Sequence, residues 1–185
     1  MKKLDGSKTE ANLKAAFAGE SKARAGYVRF ASKAKEEGHG AAALYFETTA
    51  VNEYEHAKIW LKFIGGVEPA AGAVNEQQIK VGSTKDNLQA AINGETFENT
   101  EMYPSFAKAA QEEGFDAIAR LFEQVSEIEK THADYFKVLL GRLDSAAAAP
   151  ASPEKWKCGK CGFLSSEKDA PALCPVCNGT AFGRF

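Results

Sequence analysis

The chain has 185 residues, long enough for one ordinary domain and a small appendage. With 44% hydrophobic and 26% charged residues it reads as globular, and a net charge of -2 leaves no electrostatic footprint for nucleic acid. No run approaches the roughly 18 apolar residues of a membrane helix, and the basic start leads into Leu-Asp-Gly-Ser rather than an apolar signal core, so the expected location is cytoplasmic with no membrane partner.

Residues 7–10 (Ser-Lys-Thr-Glu) have the form of a helix capping box, and helical periodicity runs from there to Glu37, where Gly-His-Gly ends it. A second helix is expected over residues 41–64, with Ala50, Tyr54, Ala57, Leu61 and Ile64 as its apolar stripe. Glu53 and His56 flank that stripe one turn apart. Taken alone, such a pair sits at a rim as readily as it binds anything. The next stretch, to Gly82, is too long and too rich in Gly, Ala and Pro for a tight turn and reads as a crossover. A third helix starts near residues 83–86 and continues to Glu113, with Pro104 expected to kink it and free the carbonyl of Thr100. The fourth, over residues 116–143, carries Ile118, Leu121, Val125, Ile128, Tyr135 and Leu139 on one face, and His132 completes that stripe, so it points inward. Residues 144–154 read as a linker to a tail over residues 155–185.

The two halves of the helical region repeat. Residues 13–21 (LKAAFAGES) match residues 88–96 (LQAAINGET), and residues 33–38 (KAKEEG) match residues 108–114 (KAAQEEG). The offset is 75 at Glu20 and 76 at Gly38, so one residue is inserted between. Across the repeat Glu20 pairs with Glu95, Glu53 with Glu129, His56 with His132 and Gly38 with Gly114. In each helical hairpin the two glutamates are equidistant from the turn, roughly 25 Å away at about 1.5 Å rise per residue, near mid-bundle. One Glu from each of two helices plus a Glu-x-x-His from each of the other two is the ligand set of di-iron and di-manganese carboxylate proteins, and four carboxylates offset the charge of two divalent cations.

Glu98 breaks the symmetry, because Ala23 occupies the matching position. It is either a rim carboxylate or a fifth ligand that coordinates as metal charge rises: two ferric ions and a hydroxide leave five positive charges, about as many as five carboxylates offset. Tyr27 and Tyr103 lie on the faces of Glu20 and Glu98, placed either to donate hydrogen bonds to ligating carboxylates or to fill the core. Trp60 reads as core packing rather than an electron relay, and His39 as a solvated turn residue.

All four cysteines, Cys158, Cys161, Cys174 and Cys177, lie in the tail as two Cys-x-x-Cys pairs. Four thiolates converging on one tetrahedral ion explain that spacing better than disulfides, and 31 residues are too few to fold without such a staple. Spacing alone does not separate a zinc ribbon from a redox-active iron site; the neighbouring dinuclear site favours iron, since a one-electron carrier then has a client.

Glu20, "EYEH", "GETFENTEMYP", "EIEKTH" and "CGKC…CPVC" together resemble the rubrerythrin family over nearly the whole chain. The resemblance implies a mainly α protein: a ferritin-like four-helix bundle over residues 1–143, then a rubredoxin-like Fe(Cys)4 domain over residues 155–185. It implies two irons held by Glu20, Glu53, His56, Glu95, Glu98, Glu129 and His132, with the first iron moving between His56 and Glu98 as its redox state changes, and a third iron on the cysteines; zinc can enter either site on overexpression. The implied activity is reduction of hydrogen peroxide to water in oxidative-stress defence. Electrons would enter through the rubredoxin-like iron from an external donor, such as rubredoxin or an NADH-dependent reductase, since no nucleotide-binding fingerprint occurs here. A homodimer or higher homo-oligomer is implied, with the tail of one chain serving its partner's bundle. Two rival readings are an iron-handling ferroxidase of the ferritin kind, which would need neither Glu98 nor the tail, and a non-enzymatic adaptor with a zinc ribbon, which leaves the convergent ligands unexplained.

Overall fold

Residues 3–65, 74, 79–143 and 155–184 are described in the computed structural model. Their helices are α1 (Lys8–Glu36), α2 (Gly40–Phe63), α3 (Thr84–Phe97), a π-helical turn (Glu98–Met102), α4 (Tyr103–Glu112) and α5 (Asp116–Arg142). None is long and apolar enough to cross a membrane. The crossover lies mostly, and the linker of residues 144–154 wholly, outside the described residues.

Local signals account for most boundaries. The Ser7 hydroxyl accepts from the Glu10 amide at 3.0 Å, while the Glu10 carboxylate reaches the Gly6 amide, one residue further back than a reciprocal capping box would have it. Ser83 and Asp86 form the full box at the start of α3. Gly38 and Gly114 follow the helix ends with φ of 79° and 74°, a left-handed conformation that stops a helix cheaply only at glycine. Each hairpin then caps the other. Glu37, at the end of α1, accepts from the Thr84 amide at 2.7 Å, and Glu113, at the end of α4, accepts from the Lys8 and Thr9 amides at 3.0 and 2.8 Å.

Two expectations need correction. The third helix is not one helix kinked at Pro104: the irregularity begins at Glu98, and Pro104 sits in the first turn of α4, where its missing N–H costs nothing. The cause is the inserted residue. A π turn absorbs one extra residue within a helix, and here it falls between Glu95, offset 75 from Glu20, and Tyr103, offset 76 from Tyr27. Asn99 and Ser126 pin the turn to α5: the Asn99 amide donates to the Ser126 carbonyl at 2.9 Å, and the Ser126 hydroxyl donates to the Asn99 carbonyl at 3.0 Å. The second correction concerns α2, whose buried face is Phe46, Thr49, Ala50, Glu53, His56, Ala57 and Trp60, with Tyr54, Leu61 and Ile64 only half-buried. Glu53 and His56 are therefore central, not flanking. An apolar-only stripe misses them because it assumes that the centre of a core is apolar.

In the bundle α1 packs on α2, and α3 and α4 pack on α5; α2 then meets α5 along one side, and α1 meets α3 and α4 along the other. The core divides into two apolar clusters. One gathers Leu13, Trp60, Tyr103, Ile118 and Phe122; the other gathers Tyr27, Phe30, Phe46, Leu88 and Phe136. Buried glutamates and histidines occupy the layer between. The tail is a three-stranded antiparallel sheet of β1 (Trp156–Cys158), β2 (Leu164–Ser165) and β3 (Phe182–Arg184) in the order β2-β1-β3, with Lys157 opposite Leu164 and Gly183. Its cysteines, Phe163, Val176 and Phe182 join the first apolar cluster.

The caps carry a pH signature. Donation from the Thr9 hydroxyl and amide holds the Glu113 carboxyl below its ordinary value. A group so depressed stabilises the fold above its unfolded pKa and loses that contribution as pH falls toward its folded one. Glu113→Gln should melt a few degrees lower than wild type at pH 7, and the gap should narrow on acidification through about pH 4. Thermal denaturation of both proteins across that range checks it; a gap independent of pH would contradict the cap.

Candidate metal centres

Glu20 comes from α1, Glu53 and His56 from α2, Glu95 from α3, and Glu129 and His132 from α5, and all six are fully buried at the polar layer. His56 Nδ1 lies 2.8 Å from Glu53 Oε2, 3.0 Å from Glu129 Oε1 and 3.7 Å from Glu20 Oε2. His132 Nδ1 lies 2.8 Å from Glu129 Oε2, 3.3 Å from Glu53 Oε1 and 3.6 Å from Glu95 Oε2. Glu53 and Glu129 thus turn one oxygen toward each histidine, while Glu20 and Glu95 serve one apiece. Two overlapping sets result, each with its potential ligand atoms within 4.8 Å of one another: Glu20, Glu53, His56 and Glu129; and Glu53, Glu95, Glu129 and His132.

The hydrogen-bond pattern decides what fits between them. Glu20 Oε2, Glu95 Oε2, both oxygens of Glu53 and of Glu129, and Nδ1 of His56 and His132 have no hydrogen-bond partner. The second polar atom of Glu20, Glu95, His56 and His132 has one. Tyr27 donates to Glu95 Oε1 and Tyr103 to Glu20 Oε1, the same contact made twice across the repeat. Trp60 Nε1 donates to the Tyr103 hydroxyl at 3.1 Å, so this buried indole is more than filler. His56 Nε2 pairs with the Cys161 carbonyl at 2.9 Å and His132 Nε2 with Asn52 Oδ1 at 3.2 Å. Leaving a buried polar atom unpartnered costs about 1–3 kcal/mol, so eight such atoms facing one another are untenable unless cations or protons lie between them. Two cations match the two sets.

Protons fill that role in the metal-free chain. Burial, reinforced by Glu129 and Glu53 and opposed by His56, pushes the Glu20 carboxyl up to about 8. Burial and the Glu53 charge hold Glu95 well above the usual carboxylate range. Glu53 feels the same burial, but His132 and His56 outweigh it and keep that group at about 2. Burial alone would lower both histidines; Glu129 and Glu20 around His56, and Glu53 and Glu129 around His132, raise them well above the ordinary value.

Glu98 stands apart from both sets. It begins the π turn, is half-buried, and directs its carboxylate toward α1, with Oε1 3.9 Å from where a Cβ on Gly19 would sit. Burial and the charges of Glu20 and Glu95 push its carboxyl well up. Asn52, fully buried beside Glu53, escaped the sequence reading; the available signal was a polar residue whose repeat counterpart is the apolar Ile128.

In the tail Cys158 Sγ lies 3.7 Å from Cys177 Sγ, and Cys161 Sγ 3.5 Å from Cys174 Sγ. These separations exclude disulfides and match the roughly 3.8 Å edge of a tetrahedron with metal–sulfur bonds of about 2.3 Å. The knuckle of residues 158–162 lies on the α2–α5 side of the bundle, where Asn52 Nδ2 donates to the Lys160 carbonyl at 2.7 Å and Lys157 Nζ sits 5.4 Å from the Tyr45 ring centroid. This docking is within one chain.

The rubrerythrin family description matches residues 11–140, and its rubredoxin-like domain matches residues 156–181. The chain belongs to the rubrerythrin family. It is 43% identical to a rubrerythrin of Porphyromonas gingivalis, over 95% of this chain and 88% of that protein, and 41% identical to rubrerythrin-1 of Clostridium acetobutylicum, over 96% and 93%. Nigerythrin in a mixed-valence state superimposes with a TM-score of 0.73 at 31% identity, covering 98% of this chain and 91% of the other. The fold is accordingly a ferritin-like bundle with a rubredoxin-like tail. As a rubrerythrin the chain carries a di-iron site in the bundle and an iron on its four cysteines, and the inward donors and sulfur spacing fit both.

Metal loading of the bundle must displace the protons held there. Calorimetric titration of zinc into metal-free bundle sites, with the cysteine site already filled, should release about two or more protons per chain at pH 7, and apparent affinity should rise as pH is raised toward 8. Heats that do not depend on the buffer's ionisation enthalpy would contradict this protonation pattern.

Proposed function

We propose that this chain is a non-haem di-iron peroxidase: it reduces hydrogen peroxide to water, with electrons delivered through the rubredoxin-like iron from an external donor such as rubredoxin or an NADH-dependent reductase. The observation that carries the reading is the bond between His56 Nε2 and the carbonyl of Cys161. A one-electron site is thereby joined to a two-electron site through one hydrogen bond. A storage ferroxidase has no use for that connection. Similar solved nigerythrins in mixed-valence and all-ferrous states agree with a centre that cycles between charges.

In this reading Glu20, Glu53, His56, Glu95, Glu129 and His132 would hold the two bundle irons, Glu53 and Glu129 belonging to both ligand sets, and Cys158, Cys161, Cys174 and Cys177 would hold the third. A diferrous centre held there would provide the two electrons needed to reduce hydrogen peroxide, which with two protons gives two waters. This chain's residues manage position and protons. Tyr27 and Tyr103 hold the outer oxygens of Glu95 and Glu20, so each of those carboxylates keeps one oxygen for metal. The tail covers the α2–α5 side, whereas Glu98 lies beside Gly19 on the α1–α3 side. A half-buried acid there, with its pKa raised by burial, is placed to pass protons between solvent and the site, and to approach metal when positive charge grows.

Glu98→Ala should keep its helical content and bind two irons in the bundle, because the six other ligands remain. Its oxidation by peroxide, followed by stopped flow from the reduced protein, should slow by about 10²-fold, the ordinary worth of a positioned proton donor. An unchanged rate constant with unchanged pH dependence would remove Glu98 from the chemistry.

A chain ending at Ser152 should retain the bundle and react once with peroxide after chemical reduction. It should fail to sustain turnover with NADH, a reductase and rubredoxin, since no attached carrier remains to return electrons to a buried site. Cycling at the full-length rate would reduce the tail to a structural or binding module.

A further inference from the structure

The two histidines are related by the repeat, but their outer nitrogens are not satisfied alike. His132 Nε2 meets Asn52, a residue of α2. The repeat places Ile128 where the equivalent partner for His56 would stand, and an isoleucine offers no polar atom. His56 Nε2 meets the Cys161 carbonyl instead. The symmetry of the bundle is broken at the place where the tail docks.

Asn52 touches both sides of that break. Its Nδ2 donates to the Lys160 carbonyl at 2.7 Å and its Oδ1 faces His132 Nε2 at 3.2 Å. A backbone carbonyl only accepts, so the nitrogen end of the carboxamide must face Lys160; the oxygen end then faces the ring and accepts, which keeps a proton on Nε2 and makes Nδ1 the atom that gives up its proton when a metal binds. Gly162 closes the contact. With φ of 78°, it brings the tail backbone so near that a Cβ there would lie 2.9 Å from Asn52 Oδ1 and 3.1 Å from His132 Nε2. Among uncharged side chains only a carboxamide offers a donor and an acceptor on neighbouring atoms for these two jobs, and Asn52 is fully buried while doing them.

We propose that Asn52 is a two-headed latch, holding the tail's first cysteine knuckle on the bundle through Lys160 while fixing the His132 ring in the tautomer that presents Nδ1 to the metal centre. Asn52 is a positioning residue. It acts through His132 and through the docked tail, and the docked tail in turn supplies the acceptor that His56 lacks in the bundle. The latch does not depend on which oxidant the protein reduces.

The test uses the full-length protein loaded with zinc in all three positions, which is diamagnetic, and follows exchange of the two imidazole Nε2 protons with water by nitrogen-15 NMR. Two nearly isosteric variants separate the two heads. Asn52→Leu removes donor and acceptor, and both ring protons should exchange at least about tenfold faster, the scale of one buried hydrogen bond lost. Asn52→Asp keeps an acceptor for His132 but sets a carboxylate against the Lys160 carbonyl; the His132 proton should stay protected while the His56 proton is exposed by release of the tail. Gly162→Ala approaches from the tail with the bundle sequence untouched, so it remains informative should substitutions inside the bundle fail to fold; it should also expose the His56 proton. Wild-type protection of the His56 proton in Asn52→Asp and Gly162→Ala would overturn the latch. Equal exposure of both protons in Asn52→Asp and Asn52→Leu would do so too, because it would assign Asn52 to packing alone.

Discussion

Everything else in this protein answers to one electrostatic constraint: four carboxylates and two imidazoles share a dry layer at the middle of a helical bundle. Isolated buried charges of that number would unfold a domain whose total stability is about 5–15 kcal/mol. The solution is a division of labour within each side chain. The outward atoms of Glu20, Glu95, His56 and His132 are tied to tyrosines, a carboxamide and a backbone carbonyl, and the inward atoms are left for cations. Protons substitute when cations are missing, which binds metal affinity to pH. The apolar clusters on either side of the layer, with Trp60, Tyr103 and Phe122 in one and Tyr27, Phe46 and Phe136 in the other, keep water out and hold the rings that hold the ligands.

The internal repeat explains why so few kinds of interaction suffice. Glu37 and Glu113 cap the opposite hairpins, Gly38 and Gly114 stop equivalent helices, and Tyr27 and Tyr103 each hold the other half's carboxylate. Departures from the repeat are then informative. The π turn carries the extra residue and the extra carboxylate, Glu98, on the α1–α3 side. Asn52, without a polar counterpart, marks the α2–α5 side, where the cysteine knuckle is seated. A repeat that would give two equivalent faces thus carries an acid on one face and the cysteine knuckle on the other.

Much of this was legible in the sequence because its signals are local or periodic. Capping residues and glycines marked helix ends to within a residue or two, the Glu-x-x-His pairs and the equidistance of Glu20 and Glu53 from their turn put six candidate ligands at one level, and two Cys-x-x-Cys pairs announced a metal knuckle. Apolar periodicity misplaces the buried face of α2, because Glu53 and His56 occupy its centre. The one-residue insertion was visible as a change of offset. Its form was not, because the offset changes somewhere between Glu95 and Tyr103 without saying how the backbone takes up the extra residue; the π turn that does so is fastened to α5 by Asn99 and Ser126.

The sequence by itself determined the two helical hairpins, the repeat, the six residues that share the polar layer and the pairing of the cysteines in two knuckles, because spacing along a helix or a knuckle is a one-dimensional property. Tertiary structure alone decided which oxygen of Glu20 and of Glu95 is spent on a tyrosine and which faces the other donors, where Glu98 points, and that Asn52 and the Cys161 carbonyl complete the two histidines. Those outcomes depend on directions between segments up to 108 residues apart, as in the bond from Asn52 to Lys160. Hydrogen bonds are selected by angle and distance in three dimensions, and no pattern along the chain encodes either.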